Sequence, residues 1–270
     1  MRIGLLGDVH GERAWMSRAL DVLLASEIDA IWQLGDLGVW PSGESQKDWD
    51  KVSRRLERAG VSMFVAPGNH EDYDQIDALT PREDGWLLYR DQILLAPRGH
   101  RTEVAGLTVL WLGGAGSIDR SCRLADMAAR QRERDKYRSS RPVVKTWWEQ
   151  EYVTEADVER CIAGGPADIM VCHDAPHPVA GIELAQDGAN TEDLRLAEES
   201  TGRLTRVVAE VQPRLLLHGH HHIRVDSTYE TTGTSTRVCG FARDGMNEAL
   251  GILTIPTLEV EWWDGSGVVR

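Results

Sequence analysis

Short apolar runs alternate with amphipathic stretches over the first third of the chain. "RIGLLGD" (2–8) is the first run, and Trp15, Ala19, Leu20 and Leu23 behind it recur at helical spacing. "AIWQLGD" (30–36) is the second, followed by the charged helical segment "QKDWDKVSRRLERAG" (46–60). "SMFVAPGNH" (62–70) is the third, with a short helix after it. This alternation predicts βαβ units around a mainly parallel sheet. From about residue 92 the pattern changes. "QILLAPRGHRTEVAGLTVLWLGGAG" (92–116) reads as two strands joined by a turn, more antiparallel in flavour. "ADIMVCHDAP" (167–176) and "PRLLLHGHHHI" (213–223) are again apolar strands ending in polar clusters, and "STRVCGFARD" with "GILTIPTLEVEWW" reads as a closing hairpin. There is no internal repeat, low-complexity segment or Pro/Ser-rich linker, so one domain over residues 1–270 is expected.

Composition narrows the class. The 270 residues are 41% hydrophobic and 27% charged, as in soluble globular proteins, and enough to bury a core without disulfide staples. No stretch approaches the roughly 18 consecutive apolar residues of a membrane helix. The opening "MRIGLLGDVHGER" is too short and too charged for a signal peptide, so a cytoplasmic location is expected. Cys122, Cys161, Cys172 and Cys239 show no CxxC spacing and are expected as reduced thiols. The net charge of −13 repels a nucleic-acid backbone, which makes a nucleic-acid polymer a poor partner. A small anion stays possible if its site is locally positive. The mixed-charge run "ARQRERDKYRS" (129–139) reads as a solvated face, with a substrate-touching lid as the alternative.

Candidate chemistry sits where the strands end. "GDVH", "GDLG", "GNHE", "CHDA" and "HGHHH" close five predicted strands, and the carboxyl ends of strands are where open α/β sheets bind ligands. Singly each motif is weak. Together they supply two carboxylates, an amide oxygen and several imidazoles, a mixture suited to Mn²⁺, Fe²⁺, Zn²⁺ or Ni²⁺. Asp8 and His10 are two apart, so in an extended segment both point to one side. Likewise, after a turn at Gly219, His220 and His222 project together while His221 points away; a competing register pairs His218 with His220. His218, His221, His100 and His177 are expected beside the ligands or at the surface.

The ordered set Asp8-x-His10, Gly35-Asp36, Gly68-Asn69-His70-Glu71, His173 and Gly219-His220-x-His222 resembles the calcineurin-like metallophosphoesterase signature, in the family's order from residue 8 to residue 222. The resemblance implies an α/β fold: a four-layer αββα sandwich of two mixed β-sheets flanked by helices. It also implies two divalent metal ions, Mn²⁺ foremost with Fe²⁺, Zn²⁺ or Ni²⁺ as alternatives. By the family pattern Asp8, His10, Asp36 and His222 hold one ion, and Asp36, Asn69, His173 and His220 hold the other. Two such ions bring +4, the two carboxylates remove two and a bridging hydroxide one more, so the centre attracts phosphate despite the acidic surface. The implied reaction is in-line attack of that hydroxide on phosphorus. His70 resembles the catalytic histidine that donates to the leaving group or to a phosphate oxygen.

Departures from the family pattern shape the expected substrate. "GDVHG" and "GNHE" look like the protein phosphatase branch, which continues its second motif as GD-x-V-D-R-G. Here it reads "GDLGVWP", with Val39 in place of the Asp that would orient His70 and Pro41 in place of a phosphate-gripping Arg. The compact "GHHH" is more like the phosphodiesterase branch. A small phosphodiester such as a cyclic nucleotide is therefore the favoured substrate. Monoester or phosphoprotein hydrolysis is the runner-up, ahead of a nuclease or a non-catalytic scaffold of the same fold. In "GGAGSIDRSCR" (113–123), Arg120 or Arg123 is a candidate phosphate contact, against a tight turn with solvated arginines. Trp147 and Trp148 are expected to pack a helix, with a base-stacking wall as the sharper alternative.

Overall fold

Period-two alternation in the strands sorts apolar side chains onto opposite faces, and three separate cores result. The computed structural model describes residues 1–40, 43–183, 188–231 and 233–267. In the first sheet, β1 (Arg2–Leu6), β2 (Ala30–Gln33), β3 (Ser62–Val65), β4 (Leu87–Arg90) and β5 (Ile93–Leu95) are joined by β12 (Leu250–Thr254) and β13 (Glu259–Trp262), in the order β13-β12-β1-β2-β3-β5-β4. The second sheet holds β6 (His100–Val104), β7 (Leu107–Leu112), β8 (Ile169–Cys172), β9 (Leu215–His218), β10 (Val225–Thr231) and β11 (Thr234–Gly240), in the order β10-β11-β9-β8-β7-β6. Each sheet has a parallel centre, β1-β2-β3-β5 and β7-β8-β9-β11, with antiparallel strands at its edges.

Ile3, Leu5 and Trp32 from the first sheet meet Val109, Trp111, Ile169, Val171, Leu215 and Leu217 from the second, forming the middle of a sandwich. Trp32, Trp86 and Trp111 pack edge-on there at 5.0–5.4 Å. Alternate residues face outward. Leu6, Ile31, Met63 and Val65 pack against α1 (Arg13–Ala25) through Trp15, Met16, Ala19, Leu20 and Leu23, and against α2 (Gly43–Ala59) through Trp49 and Leu56. Leu110, Leu112, Met170, Cys172 and Leu216 pack against α5 (Glu155–Ala163) and α6 (Thr191–Val211) through Val158, Cys161, Leu204, Val207 and Val208. The fold is the α/β, four-layer αββα sandwich of two mixed sheets.

Two local readings change. The tail does not close on itself: β11 stays in the second sheet beside β9, while β12 crosses to the free edge of β1 (Arg2↔Thr254 to Leu6↔Leu250) and pairs with β13. Both apolar faces of β12 are thereby covered, Ile252 under the helices and Leu253 between the sheets. In the 92–116 stretch, β6 and β7 are the antiparallel hairpin, and β5 is a separate strand parallel to β3. The mixed-charge run lies largely on α4 (Arg120–Tyr137), which has no buried residue and ends at Arg138 in the left-handed region (φ 49°). All four cysteines are free, three of them buried.

Candidate metal centre

The carboxyl ends of β1, β2 and β3 are neighbours in the first sheet and those of β8 and β9 in the second, and the loops after them bring the five motifs together. Ligand-capable atoms of Asp8, His10, Asp36 and His222 all lie within 4.8 Å of one another. His222 Nε2 is 3.1 Å from Asp8 Oδ2. On the other side of Asp36, His173 Nε2 is 3.0 Å from Asn69 Oδ1, and the His173 and His220 rings are 5.1 Å apart. Asp36 is the hinge between the groups. Its Oδ2 lies 3.5 Å from His10 Nε2 and 3.4 Å from His173 Nε2, yet it is buried without a hydrogen-bond donor. Its Oδ1 accepts the His70 backbone N–H at 2.8 Å. A buried carboxylate oxygen lacking a donor, with two imidazole nitrogens turned toward it, fits a carboxylate shared by two cations.

Backbone geometry explains how side chains on different strands converge. His10 (φ 47°), Asp36 (φ 52°), His220 (φ 62°) and His222 (φ 57°) all occupy the left-handed region. Non-glycine residues are uncommon there and cluster at functional sites. Asp8/His10 and His220/His222 therefore reach one side through left-handed turns, not through the extended i, i+2 geometry expected from spacing. Glycines clear the space. A Cβ on Gly35 would collide with the His173 ring, and one on Gly219 with Asp8 Oδ1.

Surrounding groups fix which imidazole nitrogen faces inward. His173 Nδ1 is 2.7 Å from the Leu34 carbonyl and so carries the proton, leaving the Nε2 lone pair for the centre. His10 Nδ1 meets Asp244 Oδ1 at 2.9 Å and its Nε2 faces inward in the same way. Charge is concentrated here. Burial opposes a proton on His173, but Asp36 outweighs it and raises the imidazole to about 10. His10 is likewise pulled down by burial but raised to about 9 by Asp36 and Asp244. The cluster thus strongly attracts positive charge, which two cations would supply in place of protons.

His70 stands beside the cluster, its ring centroid 5.9 Å from that of His10. Burial lowers its pKa, with the Asp36 charge opposing. Val39 is buried and offers no carboxylate to it; Pro41 lies outside the described residues. The backbone positions His70 instead: its N–H donates to Asp36, and its carbonyl accepts the Trp40 indole N–H at 2.9 Å. Among the other histidines, His221 Nε2 meets Asp174 Oδ1 at 3.1 Å. His218 is fully buried beside Gly240, His100 packs edge-on against Trp86, and His177 is exposed.

The two candidate arginines part company. Arg120 turns away from the cluster, its guanidinium over the Trp147 ring at 4.8 Å and 3.5 Å from Asp193 Oδ1. Trp147 thus packs against an arginine, and the buried Trp148 faces the cleft beside His70. Arg123 lines that cleft as well; its terminal nitrogens donate to Glu151 Oε2 and Ser117 Oγ at 2.6 Å and to the Thr146 carbonyl at 2.7 Å, and its Nε is 3.1 Å from Asp119. Ser117 Oγ in turn accepts the Asn69 amide at 2.9 Å, so a buried chain from Arg123 through Ser117 orients Asn69.

The chain matches the sequence profile of the calcineurin-like phosphoesterases over residues 1–224. It belongs to that family. Family membership supports a metal-dependent phosphoester hydrolase, and the Asp/His cluster suits a binuclear divalent site. It is similar to TT1561 of Thermus thermophilus, with 14% identity, coverage of 100% of this chain and 99% of that one, and a TM-score of 0.55. A dimetal phosphatase from Danio rerio has 11% identity, coverage of 93% and 91%, and a TM-score of 0.50. Identities this low speak for the shared fold alone. No curated protein sequence matches the chain. Among the described residues, no helix is long and apolar enough to cross a membrane.

Proposed function

We propose that this calcineurin-like phosphoesterase, as one domain over residues 1–270, hydrolyses small phosphodiesters. Asp8, His10, Asp36 and His222 would hold one divalent ion and Asp36, Asn69, His173 and His220 the other. Mn²⁺ is the first candidate, given a donor set of carboxylates, one amide and imidazoles. The observation that carries this reading is Asp36 Oδ2, buried, without a donor, and flanked by His10 and His173 Nε2. When bound, the cations would neutralise phosphate oxygens and lower the pKa of nearby water.

The chain's own residues complete the reaction. Asp36 keeps one oxygen free of donors, where it would serve the cations, and fixes the His70 main chain with the other. His70, at the rim of the cluster, donates a proton or hydrogen bond to the departing oxygen, with Trp40 holding its carbonyl. Arg123 supports the diester preference. A monoester carries close to two negative charges at pH 7, its second pKa being about 6, and gains most from an extra guanidinium. Arg123's charge is already paired with Glu151 and Asp119, and its terminal nitrogens bond Glu151, Ser117 and the Thr146 carbonyl. A diester, with one charge, does not need it.

The test is a comparison of Mn²⁺-loaded protein on an aryl diester, an aryl monoester, a cyclic nucleotide and a single-stranded oligonucleotide. The expected kcat/KM for the aryl diester exceeds that for the monoester at least about tenfold, or roughly 1.4 kcal/mol of transition-state binding. A faster monoester would overturn the preference, and no turnover on any of the four would overturn the hydrolase assignment.

A further inference from the structure

A cleft of about 380 Å³ opens beside the metal centre, lined by Trp40, His70, Arg123 and the segment from Val144 through Lys145 and Thr146 to Trp148. We propose that it seats an aromatic or similarly flat apolar arm of the phosphoester, the arm bonded to the oxygen that faces His70. This rests on the phosphodiesterase reading above, since His70 is the residue shared by the cluster and the cleft.

Two large apolar side chains are left open to solvent here, Trp40 at 38% and Val144 at 48% exposure. Trp40 is fixed in place. Its indole N–H is bonded to the His70 carbonyl, and its ring lies so close to Gly11 that a Cβ there would come within 2.9 Å of it. Trp148 is buried, with the Lys145 ammonium 5.2 Å from its ring centroid. The cleft's cations are already neutralised. Lys145 Nζ is 3.0 Å from both oxygens of Asp74, and Arg123 is held by Glu151 and Asp119. A charged arm would find the cleft's lysine and arginine already paired with carboxylates. A flat apolar arm buries its surface against fixed indole and valine walls.

Size points the same way. Ligand pockets run from roughly 300 to 1,000 Å³, and this one sits near the lower end, which suits one ring system and not a folded chain. The outer wall, Val144 to Trp148, belongs to the segment that returns from the solvent-facing helix α4. Arg123 ties that helix to the wall through the Thr146 carbonyl.

Binding of phenylphosphonate and methylphosphonate to Mn²⁺-loaded protein, followed by tryptophan fluorescence and calorimetry, tests the proposal apart from turnover. The wild type is expected to bind the phenyl compound at least about tenfold tighter, from apolar area removed from water. Val144→Asp is expected to weaken phenylphosphonate about tenfold and methylphosphonate less than about twofold, and the similarly shaped Val144→Thr to weaken phenylphosphonate about threefold. Equal affinity of the wild type for the two compounds, or a phenyl preference unchanged in folded Val144→Asp and Val144→Thr, would overturn it. A protein that hydrolyses no ester yet keeps a Val144-dependent phenyl preference would overturn the phosphodiesterase reading and leave the aromatic cleft standing.

Discussion

Glu71 is fully buried, and three backbone N–H groups point at its carboxylate. Leu37 donates at 2.6 Å to one oxygen, and Gly38 at 3.1 Å and Val39 at 2.7 Å to the other. These residues directly follow Asp36, so Glu71 folds the loop that holds Asp36 in its left-handed conformation. Glu71→Ala removes both acceptor oxygens and with them all three bonds. A buried donor left unmet costs roughly 1–3 kcal/mol, so the ceiling is about 9 kcal/mol; water entering the vacated space offsets part, leaving about 3–5 kcal/mol. Against a typical total of about 5–15 kcal/mol, that loss is large. Urea unfolding of metal-stripped protein measures it without added stabilisation from bound ions. The pH dependence has a definite sign. Burial, with the Asp36 charge, raises the Glu71 carboxyl from 4.5 to about 7 despite the three N–H donors. A raised folded-state pKa means the folded protein binds the proton more tightly. The group's contribution is therefore complete below about pH 4.5 and declines as pH rises through about 7. The gap between wild type and Glu71→Ala should narrow from pH 5 to pH 8, by on the order of 3 kcal/mol at most. A variant within about 0.5 kcal/mol of wild type across that range would show that the carboxylate does not hold the loop.

His70→Ala is expected to retain both metal ions, measured by elemental analysis, and to slow turnover by ~10²–10⁴, most for esters with poor leaving groups. Loss of metal together with rate would assign it to the cage instead. Trp40→Phe keeps a ring against Gly11 but deletes the donor to the His70 carbonyl. It should lower kcat by about three- to tenfold, with a smaller change in KM, and an unchanged kcat would free His70 from that anchor.

The strands and the first helix were legible because burial follows their period. Ile3 and Leu5 face one way and Leu6 the other, and Trp15, Ala19, Leu20 and Leu23 share a face of α1. The five motifs were legible as strand ends, since the turns that carry them are rich in Gly, Asp, Asn and His. What was not legible depends on distant partners. Asp244 meets His10 across 234 positions and lies in no motif. Glu151 is one acid among 43 acidic residues, and only the fold places it between Ser117 and Arg123. Arg120 and Arg123 are three apart on one helix and looked equivalent. Their fates were decided by Asp193 and Trp147 for one, and by Glu151 for the other. The left-handed conformations of His10, Asp36, His220 and His222 were not legible, because Asp and His adopt that region more readily than most residues yet still in only a small minority of positions.

Titrating metal-stripped wild type and Asp36→Asn with Mn²⁺, while recording both bound metal and aryl diester hydrolysis, tests the shared-carboxylate centre most directly. Wild type should gain activity until two ions per chain are bound, and Asp36→Asn should bind both ions weakly and stay inactive over the same range. Full activity at one ion per chain, or an Asp36→Asn protein as active as wild type, would contradict it.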